Sequence, residues 1–555
     1  SKPVPIVDLD IMLNGEAEYG IDTQLPDMLY ASIERCPVIG GSLVSVDDTE
    51  ARKIKGVIDI ITLPNKGLPP VFHALPGIAV IANNSWTAMQ ARKKLNIKWD
   101  LGANASHTSK DYLAALSKSV ATKGTVVRSR GDVDKAFADY SEQHEATYTV
   151  PYLAHATMEP PAASAIYHGD GHYEIWACTQ DPQGVQSTIA GELKTEAAKV
   201  KVHVTLLGGA FGRKSKPDFA VEAAFLAKTL NKPVKVTWSR EDDIHFDYFH
   251  AISAQYYKAA WDKKGKVKGW VQRAAYPSIG ATFNPLATSP QDFELSLGFA
   301  DMPFDFENIS CEKQPALAHL RIGWLRSVDN IHQAFAIQSF INELALKTGK
   351  DAKEFLLESI GADRYVDPTK EGFKYGNYGE PLDKYPIDTA RLKNVIQVVG
   401  EKSGYGEKIE NGEGWGIAGH RSFLTYVAVA TKVKLENNKV VLKEIHCAVD
   451  CGLAVNPDRV RSQMEGAMIF GASIALMSEI TTKDGRVKQS NYNDYQLLRM
   501  YQSPKIVIHL VATDHLPTGV GEPGVPPVAP SITNAIVAAG GKRIRDLPVN
   551  KHYKV

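Results

Sequence analysis

The chain has 555 residues, of which 44% are hydrophobic and 23% charged, and this length and composition predict roughly three or four globular domains. The 63 Lys and Arg residues balance the 63 Asp and Glu residues, which excludes a global electrostatic field that would recruit nucleic acid or an anionic membrane. The longest apolar stretch, residues 467–477, has about half of the ~20 residues that a membrane-spanning helix needs, so we expect a buried helix there.

The first hundred residues predict a compact α+β domain. Apolar runs at 29–33 and 78–82 predict strands, and Trp86, Met89 and Leu95 fall near helical spacing. A polar segment at 102–123 follows, which is typical of a domain boundary. We therefore place the first domain at residues 1–120.

Alternating strands and helices predict mixed α/β structure in the rest of the chain. Strands are predicted at 173–177, 202–207 and 234–238, and helices at 183–198, 219–230 and 332–348. Irregular connections are predicted at 365–380 and 401–416, where charged residues and glycines accumulate. The pattern divides the remainder into domains at residues 121–390 and 391–555.

Five cysteines are scattered along the chain, at Cys36, Cys178, Cys311, Cys447 and Cys451. Their number and spacing fit neither a disulfide framework nor an iron–sulfur motif. Cys447 and Cys451 lack the second Cys or His pair that a zinc site requires. We expect buried thiols.

Two glycine-rich segments invite a nucleotide-binding interpretation that their details exclude. The segment GGAFGRKS at 208–215 has Arg213 where a phosphate-binding P-loop needs glycine. The segment GVGEPG at 519–524 is followed by several prolines, which prevent the helix that a dinucleotide fold places there. That helix is expected only around Pro530, over residues 531–539.

Glu522 is held between these glycines and prolines, on a stiff loop just before the predicted helix. A rigidly positioned carboxylate is suited to general-base catalysis. Taken alone, however, the motif favours a solvated loop glutamate.

His155 and Glu159 stand four residues apart, a spacing that would place two metal ligands on one helix face. Pro160 and Pro161 exclude a helix at this position. We therefore expect His155 to be buried and hydrogen-bonded rather than bound to metal.

Several segments occur together in one order: LNGEAEYGID at 13–22, YLAHATMEP at 152–160, WACTQDP at 176–182, GGAFGR at 208–213, GWLRSVDN at 323–330, DCGLAVNP at 450–457, RSQMEG at 461–466 and GVGEPG at 519–524. This set resembles the xanthine dehydrogenase and aldehyde oxidase family, in the bacterial branch typified by the large subunit of isoquinoline oxidoreductase. The resemblance implies an α+β fold class, in which an N-terminal α/β hammerhead domain precedes two molybdenum-cofactor-binding α/β domains.

The resemblance also implies which residues form the site. Glu522 takes the role of the catalytic base, and Gln180 and Phe211 lie beside the apical oxygen of molybdenum. Arg326 is the candidate in the 323–330 turn, with Arg321 as an open alternative. The other residues implied to bind the cofactor are Gly208, Gly209, Ala210, Gly212, Arg213, Asn456, Gln463, Gly466 and Gly521. No side chain is expected to ligate molybdenum, because the pterin dithiolene holds it.

The implied cofactor is molybdenum–molybdopterin cytosine dinucleotide. Since no iron–sulfur motif is found, the expected partners are a small subunit with [2Fe-2S] clusters and a cytochrome c subunit. The family's EMGQG cofactor turn does not occur in this sequence, so we expect a companion chain or a cleaved N-terminal segment to complete the last domain. The expected location is the periplasm or the periplasmic side of a membrane, with the cytoplasm as an open alternative.

The implied activity is oxidation of an aldehyde to a carboxylic acid, or hydroxylation of an N-heteroaromatic ring, with oxygen from water. Two other classes stay open. One is a non-catalytic molybdopterin-binding or maturation protein, which would not need a carboxylate at position 522. The other is a structural protein in which the glycine-rich turns have no chemical role.

Overall fold

The computed structural model describes residues 2–555 and shows mixed α and β structure throughout. The strands are β1 Leu29–Arg35, β2 Ser42–Asp47, β3 Val57–Thr62, β4 Gly77–Ala82, β5 Asn96–Asp100, β6 Thr125–Arg130, β7 Glu142–Val150, β8 Ala162–Tyr167, β9 Tyr173–Ala177, β10 Val200–Val204, β11 Val234–Thr237, β12 Ser253–Trp261, β13 Val267–Ala275, β14 Asn308–Lys313, β15 Tyr365–Val366, β16 Ile387–Asp388, β17 Glu413–Ser422, β18 Thr425–Glu436, β19 Lys439–Asp450, β20 Thr482–Lys483, β21 Arg486–Val487 and β22 Lys505–Leu510. The helices are α1 Leu9–Asn14, α2 Thr49–Arg52, α3 Ser85–Arg92, α4 Ser109–Val120, α5 Val133–Asp139, α6 Pro182–Leu193, α7 Asp218–Leu230, α8 Arg240–His245, α9 Asp292–Leu295, α10 Asn330–Thr348, α11 Ala352–Ile360, α12 Thr389–Ser403, α13 Pro457–Leu476 and α14 Val528–Ala538. Over residues 2–555, no helix combines the length and the hydropathy needed to cross a bilayer.

The largest sheet joins the beginning of the chain to its middle. Its strand order is β10-β9-β8-β11-β1-β4-β3, and β1 pairs in parallel with β11, with Leu29 opposite Val234. Strand β4 is buried along its whole length, as expected for a strand covered on both faces. The predicted boundary at residue 120 therefore does not separate two sheets, because long-range strand pairing crosses it.

A second sheet has the order β6-β14-β13-β12-β7, and helix α4 packs on it. The second half of the polar segment at 102–123 forms α4. Ser109, Leu116 and Val120 on this helix are buried, while Lys110, Asp111 and Lys118 are exposed. The hydroxyl of Thr108 caps the helix by accepting a hydrogen bond from the Asp111 N–H.

The third large sheet, β17-β18-β19-β22, positions the end of the chain. Helix α14 lies so close to β17 that a Cβ on Gly416 would come within 2.1 Å of the Ser531 carbonyl oxygen. Helix α10, almost entirely buried, lies between this sheet and the second one and also contacts α14. The loop that precedes α14 is thus held in a fixed place relative to the start of α10.

Most predicted elements of the central part are present. The strand predicted at 173–177 coincides with β9, and the helices predicted at 219–230 and 332–348 correspond to α7 and α10. Helix α14 begins at Val528, earlier than expected, because proline is tolerated in the first turn of a helix. All five cysteines are buried and unpaired, which confirms the prediction of buried thiols.

Candidate active site

Glu522 is fixed by the turn that leads into α10. The backbone N–H of Ser327 donates a hydrogen bond to Glu522 Oε2 at 2.6 Å, and the Ser327 hydroxyl donates to the Glu522 carbonyl oxygen at 2.6 Å. Ser327 and Val328 both have positive φ, at 92° and 53°, so the turn is tight. One carboxylate oxygen is therefore held by the backbone of a segment nearly 200 residues earlier in the chain.

Arg326 joins three of the predicted segments. Its Nε donates to the Gly521 carbonyl oxygen at 2.8 Å, and its Nη2 donates to Gln463 Oε1 at 2.9 Å. Its backbone N–H donates to the Phe211 carbonyl oxygen at 3.0 Å. Arg321 points elsewhere, toward Asp218. The geometry therefore favours Arg326 over Arg321 as the arginine of this site.

The loop at 208–216 forms another wall. The Gly212 N–H donates to Gln180 Oε1 at 3.1 Å, and the Phe211 ring packs on Phe470 with ring centroids 4.9 Å apart. Gly212 has φ of +108°, and a Cβ there would come within 2.2 Å of the Trp324 carbonyl oxygen. Only glycine allows the loop and the 323–330 turn to approach this closely.

Beneath this loop lies a buried network of paired charges. The Arg213 guanidinium contacts both carboxylate oxygens of Asp218, at 2.9 and 3.0 Å, and Arg321 binds the same carboxylate. His155 Nδ1 lies 2.8 Å from the Asp247 carboxylate, which confirms the prediction of a buried, hydrogen-bonded histidine. The Arg213 side chain, predicted to bind cofactor, is fully buried and faces this network, so it supports the loop from below.

Burial sets the charge state of the groups near Glu522. It raises the pKa of the Glu522 carboxyl, against the opposing effects of the Ser327 N–H, Arg326 and Lys216. It also lowers the pKa of Arg326 to about 10, although the charge of Glu522 partly offsets this shift. Burial holds the pKa of Lys216 well below its usual range, and its Nζ donates to the Gly212 and Trp324 carbonyl oxygens at 2.7 and 3.2 Å. Such perturbed groups are typical of functional sites.

Helix α13 brings in Gln463 and Gly466. A Cβ on Gly466 would lie 3.7 Å from Arg326 Nη1, so this glycine borders the arginine. Asn456 caps the start of the same helix by accepting from the Arg459 N–H at 3.4 Å. It lies about two turns from Gln463, roughly 10 Å along the helix axis, and has no contact with the Arg326 cluster.

Two family models match the chain, both described as "molybdopterin cofactor-binding domain", one at residues 118–358 and the other at 397–504. The chain is 28% identical to the isoquinoline 1-oxidoreductase β subunit of Brevundimonas diminuta, over 99% of this chain and 68% of that protein. The chain belongs to the xanthine dehydrogenase family of molybdopterin-binding oxidoreductase subunits. The chain is also 29% identical to the membrane-bound aldehyde dehydrogenase (pyrroloquinoline-quinone) of Gluconacetobacter polyoxogenes, over 98% of this chain and 70% of that protein.

A solved structure has the same fold as this xanthine dehydrogenase family subunit. The quinoline 2-oxidoreductase of Pseudomonas putida 86 superposes with a TM-score of 0.77 over 99% of this chain and 96% of that one, at 14% identity. The overall mixed α/β fold is therefore that of molybdenum hydroxylases.

The residues of this family member fit a molybdopterin cofactor. Within residues 2–555, the backbone N–H groups of Gly209, Ala210 and Phe211 have no hydrogen-bond acceptor. A Cβ added to Gly521 would meet no atom within 4 Å beyond the adjoining residues, so the space beside this backbone is open. Unpaired N–H groups next to open space are suited to a polar, anionic ligand.

Sequence reasoning missed three residues that the fold brings to this site: Ser327, Lys216 and Trp324. Ser327 and Trp324 lie in the quoted 323–330 segment, but nothing in their identity indicates a contact with Glu522 or Lys216. The Trp324 ring lies 4.0 Å from Lys216 Nζ and forms an aromatic cluster with Phe72 and Phe283. The only feature of the sequence that could have indicated Lys216 is its position close to several glycines, and that pattern suggests phosphate binding instead.

Proposed function

We propose that this chain is the catalytic subunit of a molybdenum hydroxylase, which oxidises an aldehyde to a carboxylic acid or hydroxylates an N-heteroaromatic ring with oxygen from water. One observation carries the proposal: the Glu522 carboxylate is oriented by the Ser327 N–H, and burial raises its pKa. A base of this kind accepts protons more readily at neutral pH than an exposed glutamate does. The relatives include both an isoquinoline oxidoreductase subunit and an aldehyde dehydrogenase.

Glu522 would remove a proton from the water-derived nucleophile, and its free Oε1 is the atom available for this step. Arg326 and Lys216 favour the charged form of Glu522 before the transfer. The Ser327 N–H keeps the carboxylate in place afterwards, so that the proton can be released to solvent. This division of roles follows from which groups contact the carboxylate and which act only through their charge.

The remaining site residues would hold the cofactor, which when bound supplies the two-electron oxidation of the substrate. Gln180, Phe211 and the backbone at Gly208–Ala210 would meet its pterin and molybdenum end. Gln463, Gly466 and Asn456 would meet its dinucleotide part, which requires a ligand that extends along α13. We infer the cytosine dinucleotide form of the cofactor from the branch that the sequence resembles.

The proposal includes partners, because the electrons must leave the site. We infer a small subunit with [2Fe-2S] clusters, with a cytochrome c subunit as a further acceptor and a companion chain or segment that completes the last domain. A periplasmic location agrees with this branch of the family. The large, exposed apolar side chains of Met500 and Tyr501 offer one place where a companion could bind.

The test is to purify the complex from its native host and to measure molybdenum and iron together with product formation in ¹⁸O-labelled water. The proposal predicts about one molybdenum and, from two [2Fe-2S] clusters, about four irons per complex, with further haem iron where the cytochrome c subunit co-purifies, and ¹⁸O in the product. Molybdenum without turnover on either substrate class would favour the non-catalytic maturation protein. Absence of molybdenum from repeated preparations would contradict both.

A further inference from the structure

A second group of potential metal ligands lies behind the turn that holds Glu522. It consists of His250, Asp329 and His332, which are 1%, 2% and 0% exposed. His250 precedes β12, Asp329 ends the turn that contains Ser327, and His332 is in the first turn of α10. One nitrogen or carboxylate oxygen from each side chain lies within 4.8 Å of the other two, and His332 Nε2 is 4.0 Å from Asp329 Oδ1.

These side chains have unsatisfied polar atoms. Over residues 2–555, neither nitrogen of His332 and not Asp329 Oδ2 has a hydrogen-bond partner, and the His250 nitrogens have only poorly aligned contacts with the Val328 and Ala251 backbone. A buried polar atom without a partner is destabilising, and native interiors rarely contain several of them together. A ligand shared by the three side chains would remove this cost.

The charges around the cluster also favour a cation. Asp329 has no Lys or Arg nitrogen within 4.0 Å in the described chain, and the same holds for the buried Glu294, whose charge acts on it. Imidazole nitrogens and a carboxylate oxygen are donor atoms that a divalent cation such as zinc prefers.

We propose that His250, Asp329 and His332 bind one zinc ion, which is separate from the molybdenum cofactor. Two imidazoles and one carboxylate are a common ligand set for zinc, with water or another oxygen in the fourth position. The Tyr276 hydroxyl is a candidate for that position, since it has no partner and its ring lies 4.5 Å from that of His332. Two ligands of a tetrahedral zinc ion lie about 3.3 Å apart at normal bond lengths, so small side-chain rotations suffice.

The ion would have a structural role in the site. It would tie the 327–329 turn and the start of α10 to the segment before β12. Because the Ser327 N–H orients the Glu522 carboxylate, the ion would stabilise the position of the proposed base without contacting it.

The experiment is to measure zinc by elemental mass spectrometry in the complex produced in zinc-containing medium, and to locate it by anomalous diffraction at the zinc edge. We expect about one zinc per chain, with an anomalous peak between His250 and His332, as a single three-residue zinc site requires. The variant H332Q should contain less than about a tenth of that zinc, while its circular dichroism spectrum stays that of the wild type. The control H552Q, at a partly exposed histidine outside the cluster, should keep its zinc.

If H332Q does not fold, the zinc content and the anomalous peak of the wild-type protein still test the proposed zinc site. Ordered waters in place of an anomalous peak, with no stoichiometric zinc in the wild type, would overturn the proposal. This inference does not rest on the proposed function, because zinc and molybdenum are counted separately. Zinc without molybdenum would sustain it while the proposed function fails.

Discussion

Two groups of buried charges adjoin the 208–216 loop, and they differ in how completely they are paired. In the first, called the lower group, Arg213 and Arg321 share the carboxylate of Asp218, and His155 is bonded to Asp247. In the second, called the upper group, Glu522 has no cationic nitrogen within 4.0 Å in the described chain, and Lys216 has no carboxylate oxygen within that distance.

The comparison distinguishes charged groups that hold the loop in place from charged groups that take part in the proposed reaction. Burying a charge is costly, and close pairing with several hydrogen bonds is the usual compensation. The lower group has this compensation, so its role is to hold the loop. The upper group lacks it, and the pKa of the Glu522 carboxyl is raised whereas pairing lowers that of Asp218, which leaves Glu522 able to exchange a proton.

The variant E522Q tests the upper group most directly. Glutamine keeps the acceptor for the Ser327 N–H but cannot take up a proton, so kcat should fall by about 10²–10⁴-fold, with molybdenum content unchanged. Steady-state rates on an aldehyde and an N-heterocycle measure the change. The exposed Glu436 offers a control, since E436Q should retain full activity. Activity near the wild-type level in E522Q would remove Glu522 as the base.

The variant D218N tests the lower group. It leaves Arg213 and Arg321 buried without their shared carboxylate, which should lower the free energy of unfolding by about 3–5 kcal/mol. Denaturant-induced unfolding measures this loss. D139N, which breaks an exposed ion pair with Lys135, should leave the midpoint unchanged. A D218N protein as stable as the wild type would contradict a supporting role.

The variant R326Q tests the residue that links the segments of the site. It loses the bonds to the Gly521 carbonyl and to Gln463, so the loop before Glu522 should lose its alignment. A positioning defect of this size corresponds to about a 10–100-fold loss in kcat/KM. The pH profile should also shift, because Arg326 favours the charged form of Glu522. Unchanged kinetics and an unchanged profile would show that Arg326 has only a packing role.

The smallest effects are expected on kcat/KM when the pH is changed and when Lys216 is replaced in the variant K216M. Glu522 must be deprotonated to act as a base, so kcat/KM should decrease as pH falls through its pKa, which burial places above that of an exposed glutamate. Removing the Lys216 amine removes a group that lowers this pKa. The acidic limb of the kcat/KM profile should therefore move to higher pH in K216M. A limb that moves to lower pH would contradict the assignment.

Local patterns predict much of the fold, and their failures have physical causes. The helix predicted at 183–198 ends at Leu193, because Lys194 adopts a left-handed conformation. Glycine or asparagine usually occupies such a position, so the lysine gives no sign in the sequence that the helix ends there. The segment at 102–123 resembles a linker because its polar residues outnumber the two apolar residues that α4 buries, Leu116 and Val120. The pairing of β1 with β11 depends on residues far apart in sequence, which periodicity does not reveal.

For the site, the motif around Glu522 shows a rigidly held carboxylate, because glycine and proline restrict the backbone locally, and the resemblance to the family selects the role of a base for it. The environment of that base is not predictable in the same way. The contacts of Ser327 and Lys216 arise only when the loops before α7, α10 and α14 meet. For Arg213 the motif is misleading. The motif suggests that the side chain contacts the cofactor, but the side chain is buried and binds Asp218.

The seven-stranded sheet has a consequence for synthesis. Strand β1 is made early, yet one of its two neighbours, β11, is translated only after β8, β9 and β10. Until Val234–Thr237 leaves the ribosome, one edge of β1 stays unpaired, and such an edge is a template for wrong pairing with other chains. A chaperone that shields residues 29–35 during translation would therefore raise the yield of folded protein more than one that acts on the finished chain.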